Sequence, residues 1–212
     1  MGNSNVLNIN KFCFIILSFC SFSFLNAEEE NRVYLRYTKE IINSFVGEMR
    51  SEYGLECYGS GGSMPDDVEK IDVLFIARRT ATIEEARKIE VCCVKRLLEK
   101  INSHEKIRPF LREWPFNSNR VGVSISFRNE HDEYKHNGSV CSVFLAKNKI
   151  HYAAAEMQKE QRGGGADFRD PNNIIHYPIR EVMVERLVPL MNEPYEEALK
   201  IVSKNGKDGS SK

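Results

Sequence analysis

Net charge is what this sequence most plainly lacks: 30 Lys and Arg residues stand against 30 Asp and Glu in 212 residues. Nucleic-acid and anionic-membrane binders usually carry a large basic excess, so neither partner is favoured. Glycine and proline are also sparse, at 13 and 7 residues, which excludes collagen and low-complexity chains. Apolar residues reach 42%, enough to fill a core and to exclude wholesale disorder. Missing too is any catalytic or cofactor motif whose spacing is hard to reach by chance, so no cofactor is expected.

No apolar run attains the ~20 residues needed to cross a bilayer. Lys11 is the only charged residue before Glu28, and Phe12 to Leu25 is apolar apart from serines. Asn26-Ala27 and the acidic Glu28-Glu29-Glu30 follow. A lone basic residue, a short apolar stretch and a small residue before polar sequence form the pattern of a secretory signal. The expectation is a leader over 1–27, cleavage after Ala27, and export to the periplasm, cell surface or medium without a membrane span in the mature chain. Leu17-Ser18-Phe19-Cys20 offers a lipoprotein-like anchor at Cys20, but Phe19 stands where a small residue is wanted. The start Met1-Gly2 has Val6 where myristoylation wants Ser or Thr.

Beyond the leader, Tyr34, Tyr37, Ile41, Phe45, Met49 and Tyr53 recur at helical spacing, predicting a helix over 28–53 that stops at Gly54. Ile71 to Ala77 is short and almost wholly apolar, as a central strand would be. Thr82 and Glu85 form a capping box ahead of an apolar stripe from Ile83 to Ile101, predicting a helix over 82–103. The period then changes to two at Val121, Val123, Ile125 and Phe127. With turns at Asn137-Gly138 and Lys147-Asn148, the stretches 121–128, 139–146 and 149–155 read as an antiparallel meander. Residues 158–173 contain Gly163-Gly164-Gly165 and no apolar period, and read as a mobile surface loop. Residues 174–177 suit a short strand, 178–190 carry no clear period, Tyr195 to Val202 marks a short final helix, and 205–212 are expected to be a disordered tail. The fold expected is a single α+β domain over 28–204, a two-layer sandwich with a mainly antiparallel sheet and helices packed on one face.

The mature chain would keep Cys57, Cys92, Cys93 and Cys141. Cys92 and Cys93 point about 100° apart on a helix, so only one of them can easily face Cys57 or Cys141. One bridge and four buried free thiols are both open, and folding is expected not to require a bridge.

Candidate chemistry concentrates in two places. Tyr58 to Asp67 is rich in turn formers, and Gly59, Ser60, Gly61, Gly62, Ser63, Asp66 and Asp67 offer close backbone approach and polar groups to a ligand. It matches neither a dinucleotide nor a phosphate-loop pattern, so a tight structural turn and a binding loop both remain open. His104 to Phe116 gathers the single Trp with basic side chains, making Phe110, Arg112 and Trp114 interface candidates beside their plain role of closing the core. Cysteine with His104, His131, His136, His151 or His176 would make a nucleophilic pair, but the thiols fall on core positions. His131, Asp132, Glu133 and His136 read as a solvated hairpin tip, not a metal site.

Gly-Ser-Gly-Gly-Ser-Met-Pro-Asp-Asp-Val at 59–68, Ala-Thr-Ile-Glu-Glu-Ala-Arg at 81–87 and His-Glu-Lys-Ile-Arg-Pro-Phe-Leu-Arg-Glu at 104–113 resemble a family of uncharacterised exported proteins of chlamydia-like intracellular bacteria. The resemblance spans residues 54–203 and implies export; it brings no activity and no catalytic residue. The expected function is binding of a protein, peptide or small polar ligand. The alternative is an exported hydrolase whose Ser or Cys nucleophile is assembled by the fold.

Overall fold

The computed structural model describes residues 33–135, 137–163, 166–167, 175–176 and 179–208. The expected leader, its expected cleavage site and Cys20 lie outside the described residues. The first helix, α1 (Val33–Tyr53), turns Tyr34, Ile41, Ile42, Phe45 and Met49 inward and ends where Gly54 takes a φ of 65°, a left-handed conformation that costs glycine little. α2 (Ile83–Ser103) begins as the capping box predicts: Thr82 Oγ1 accepts from the Glu85 amide at 3.2 Å, and Glu85 accepts from the Thr82 amide at 2.8 Å. α3 covers Tyr195–Asp208. It therefore runs past 205 into the expected tail, whose last residues, 209–212, lie outside the described residues.

One sheet has the order β1-β2-β3-β4-β5-β8. Its strands are β1 (Glu56–Ser63), β2 (Lys70–Ala77), β3 (Val121–Phe127), β4 (Ser142–Ala146), β5 (Lys149–Arg162) and β8 (Arg180–Pro194). Two-residue strands β6 (Ala166–Asp167) and β7 (Ile175–His176) pair separately. The meander β3-β4-β5 is antiparallel as the turn residues imply. Lys147 and Asn148 take φ of 49° and 59° in the two-residue link, the backbone a tight hairpin requires. Among the described strands only β2 and β3 pair in parallel, with Ile71 opposite Val121 and Ala77 opposite Phe127, because α2 carries the chain back across the sheet between them.

The architecture is α+β: three helices contacting a mixed, mostly antiparallel open sheet. α2 sits at the centre, touching β3 and β4 as well as α1 and α3. Phe45, Met49, Leu55, Phe75, Leu97, Ile101, Ile125 and Ile150 are fully buried between the layers, each burial contributing about 1.5–3 kcal/mol. Phe45 meets Phe75 edge-on at 5.7 Å, a preferred aromatic geometry.

One expectation is corrected and one open stretch is settled. Residues 158–162 are not loop but the end of β5, paired from Gln158 opposite Val184 to Arg162 opposite Arg180. The stretch 178–190, which has no readable period, supplies most of β8. The physical reason is common to both: this outer ribbon is solvent-exposed on both faces, with Met157, Met183 and Leu187 about half exposed, so no buried face imposes alternation.

Candidate functional site

The glycine-rich stretch is the second correction of secondary structure, being a strand and not a turn. Glu56 to Ser63 pairs antiparallel with β2 as the sheet's edge, Ser60 opposite Val73 and Ser63 opposite Lys70. A bulge between Cys57 and Gly59 leaves Tyr58 without a partner opposite it and turns its ring 54% into solvent. Glycine hid the strand because it leaves no side chains to alternate. At Gly62 it is required by space: a Cβ there would stand 1.9 Å from the Lys70 carbonyl oxygen.

The true turn is Met64 to Glu69, and it docks onto the second candidate segment. The Val68 amide donates to Phe110 O at 2.7 Å, and the Arg112 amide donates to Val68 O at 3.1 Å. Tyr34 Oη caps the turn by donating to Met64 O at 3.2 Å. Arg112 grips Asp67 with two nitrogens, Nε to Oδ2 at 3.0 Å and Nη2 to Oδ1 at 2.8 Å, the bidentate geometry that suits a planar guanidinium. Its Nη1 lies 2.9 Å from Glu69 Oε1, and Arg120 continues the network to Glu113 at 2.9 Å. Hydrogen bonding to Asp67 and Glu69 holds the Arg112 pKa above its ordinary value.

Residues 104–116 thus form one rigid edge. Arg108–Phe110 is a single 3-10 turn. Phe110 is half-buried against Tyr34 and Tyr37 at ring distances of 6.0 and 6.4 Å, and Asn102 clamps Phe116 through both backbone polar groups, at 2.9 and 2.7 Å. Trp114 is not used by the core. It stands 55% exposed with the Arg108 guanidinium 4.6 Å over its ring, held by a cation–π contact. Of the interface candidates, Arg112 and Trp114 are therefore surface groups and Phe110 is chiefly structural. Of the loop candidates, Asp67 joins this surface, Asp66 is exposed beside it, and Gly59 to Ser63 belong to the adjoining strand.

A nucleophile is not assembled there. Ser63 Oγ donates to Glu69 Oε2 at 2.8 Å, and among the described residues neither Ser60 nor Ser63 is hydrogen-bonded to an imidazole. The four described thiols are free, and the buried ones are used internally: Cys141 donates to Ala153 O at 3.2 Å, and Cys93 lies 3.4 Å from Met49 Sδ. Burial pushes the Cys141 thiol up to about 11, away from thiolate chemistry. His104 and His151 are engaged elsewhere. His104 Nδ1 accepts from the Ile107 amide at 3.2 Å, and His151 stacks on Phe144 at 4.9 Å. Among the described residues no group of His, Cys, Asp or Glu converges as metal ligands; His136 lies outside them.

Sequence reasoning missed a buried polar network under α2. Arg87 Nε donates to Glu193 Oε1 at 2.7 Å, and Tyr152 Oη donates to the same oxygen at 2.5 Å. Burial and the Glu193 carboxylate drive the Tyr152 pKa far upward, so it stays a donor. Arg87 borders a recess of about 470 Å³ between α2 and α3, where Cys92 and Val202 form part of the wall. Nearby Glu90 is completely buried with both carboxylate oxygens unpartnered among the described residues. A lone Glu on a helical stripe is the only signal that the sequence carried.

No protein-family model, curated protein or solved structure matches this chain. No helix among the described residues is long and apolar enough to cross a membrane.

Proposed function

We propose that this chain is exported and acts by binding a protein or peptide partner, with the Arg108–Trp114 edge as the contact surface. The observation that carries the reading is Trp114, a large aromatic left 55% in solvent yet fixed by Arg108. An indole held in one place on a braced edge contributes contact area at little ordering cost, which is why Trp and Arg dominate interface energetics. The ion pairs of Arg112 with Asp67 and Glu69 hold the neighbouring turn in place without covering the ring. Export rests on the leader over 1–27, followed by Glu28-Glu29-Glu30.

Photo-crosslinking tests both parts. A photoreactive residue at position 114, in the protein expressed with its leader, is expected to give a discrete adduct in the exported fraction, and the same probe at Lys88 is expected to give none. Absence of an adduct at 114, or retention of the uncleaved chain inside the cell, would overturn the reading.

A further inference from the structure

A second surface, sharing no residue with the Trp114 edge, lies where the parallel pair β2 and β3 ends. The chain leaves β2 as Arg78-Arg79-Thr80 and β3 as Arg128-Asn129-Glu130-His131. Both exits, with Lys135, line a recess of about 410 Å³. Crevices beyond the carboxyl ends of parallel strands are the usual ligand sites of sheets with helical crossovers, since the connections diverge there and leave space. Among the described strands that geometry occurs once, at the β2–β3 pair.

The charges around the recess are unequal in their commitments. Asp132 takes a φ of 66° and sets its carboxylate between two guanidiniums, 3.5 Å from Arg78 and 2.9 Å from Arg128. Glu56 adds a second contact to Arg78 at 3.3 Å. These pairs offset Arg78 and Arg128 while holding both heads at the rim. Arg128 is further braced by the Tyr134 ring at 5.1 Å, and its Nε is buried without a hydrogen-bond partner among the described residues. Arg79 and Lys135, both exposed, have no side-chain ion pair among the described residues. Glu130 opposes them in the lining and Glu85 acts on Arg79 electrostatically; cationic donors remain in surplus, with the Thr80 hydroxyl beside them, while the Asn129 side-chain amide is committed to Glu133 at 3.1 Å.

We infer that this recess binds a small soluble phosphate ester, with Arg79 and Lys135 as the charge-bearing contacts and Arg128 as a positioned third donor. Three cations on diverging loops can meet three phosphoryl oxygens at once, whereas a monocarboxylate offers only two oxygens and one charge.

Calorimetric titration of the full chain with phenyl phosphate at fixed ionic strength tests this, with benzoate and phosphatidic acid vesicles in parallel. Saturable binding of one phenyl phosphate is expected, with benzoate at least tenfold weaker. Arg79→Gln and Lys135→Gln should each weaken it about tenfold, the loss of one charge-assisted contact, and both variants should melt close to the parent, since neither side chain makes a hydrogen bond or ion pair among the described residues and Arg79 acts on Glu85 only through its charge. Undiminished binding by the two variants, equal affinity for benzoate, no saturable binding, or binding to vesicles alone would each overturn the proposal.

Discussion

Arg112 holds Asp67 through Nε and Nη2 at 3.0 and 2.8 Å, joining by one side-chain fork two segments that the sequence keeps 45 residues apart. The backbone runs in step with it, Val68 donating to Phe110 and Arg112 to Val68. The glycine-rich stretch and the tryptophan segment are therefore one surface, in which the first supplies an edge strand and a braced turn and the second supplies the exposed ring. Arg112 itself is solvent-exposed, so its value lies in fixing geometry more than in stability.

The two central glycines should separate cleanly. A Cβ at Gly61 meets open space, whereas one at Gly62 would lie 1.9 Å from Lys70 O. Gly61→Ala is expected to leave stability unchanged or raise it by about 0.5 kcal/mol through a less flexible unfolded chain, and Gly62→Ala to cost roughly 1–3 kcal/mol by forcing β1 from β2. Urea denaturation of the two single variants decides it, and equal midpoints would mean that the strand pairing is wrong.

Glu90 should make the protein more stable when replaced. Burial pushes its pKa well above the ordinary 4.5, and the Leu145 backbone amide, outside hydrogen-bond geometry, offsets this only in part. The folded state thus keeps a proton that the unfolded chain releases, so the contribution is fully present below about pH 4.5 and is lost as pH rises towards the folded pKa. Glu90→Met is expected to gain about 2 kcal/mol at pH 7, a gain that narrows as pH falls towards 4.5. A variant less stable than the parent at pH 7 would show that the carboxyl has a partner.

The four described cysteines should behave as independent thiols. Cys93 and Cys141 are buried and Cys57 and Cys92 partly exposed, and none is bridged. In a chain starting at Glu28, a thiol reagent is expected to modify Cys57 and Cys92 in the native state and all four after denaturation, with a melting temperature indifferent to reductant. Two titratable thiols instead of four would establish a bridge.

The sequence by itself determined what faces the core. The Thr82–Glu85 box and the stripe from Ala86 to Ile101 mark α2 to its first residue, and the apolar run of β2 and the alternation of β3 mark the sheet's centre, because burial imposes a period that local composition must obey. β1 and the outer β5–β8 ribbon escaped it, since an edge of glycines and a strand pair wet on both faces owe nothing to a buried side. Neither could the sequence pair β2 with β3 in parallel, bring Asp67 to Arg112, or set Arg78 and Arg79 beside Arg128 and Lys135. Those meetings depend on which strands become neighbours. That choice is made by the packing of α2 across the sheet, a long-range contact that no local pattern records.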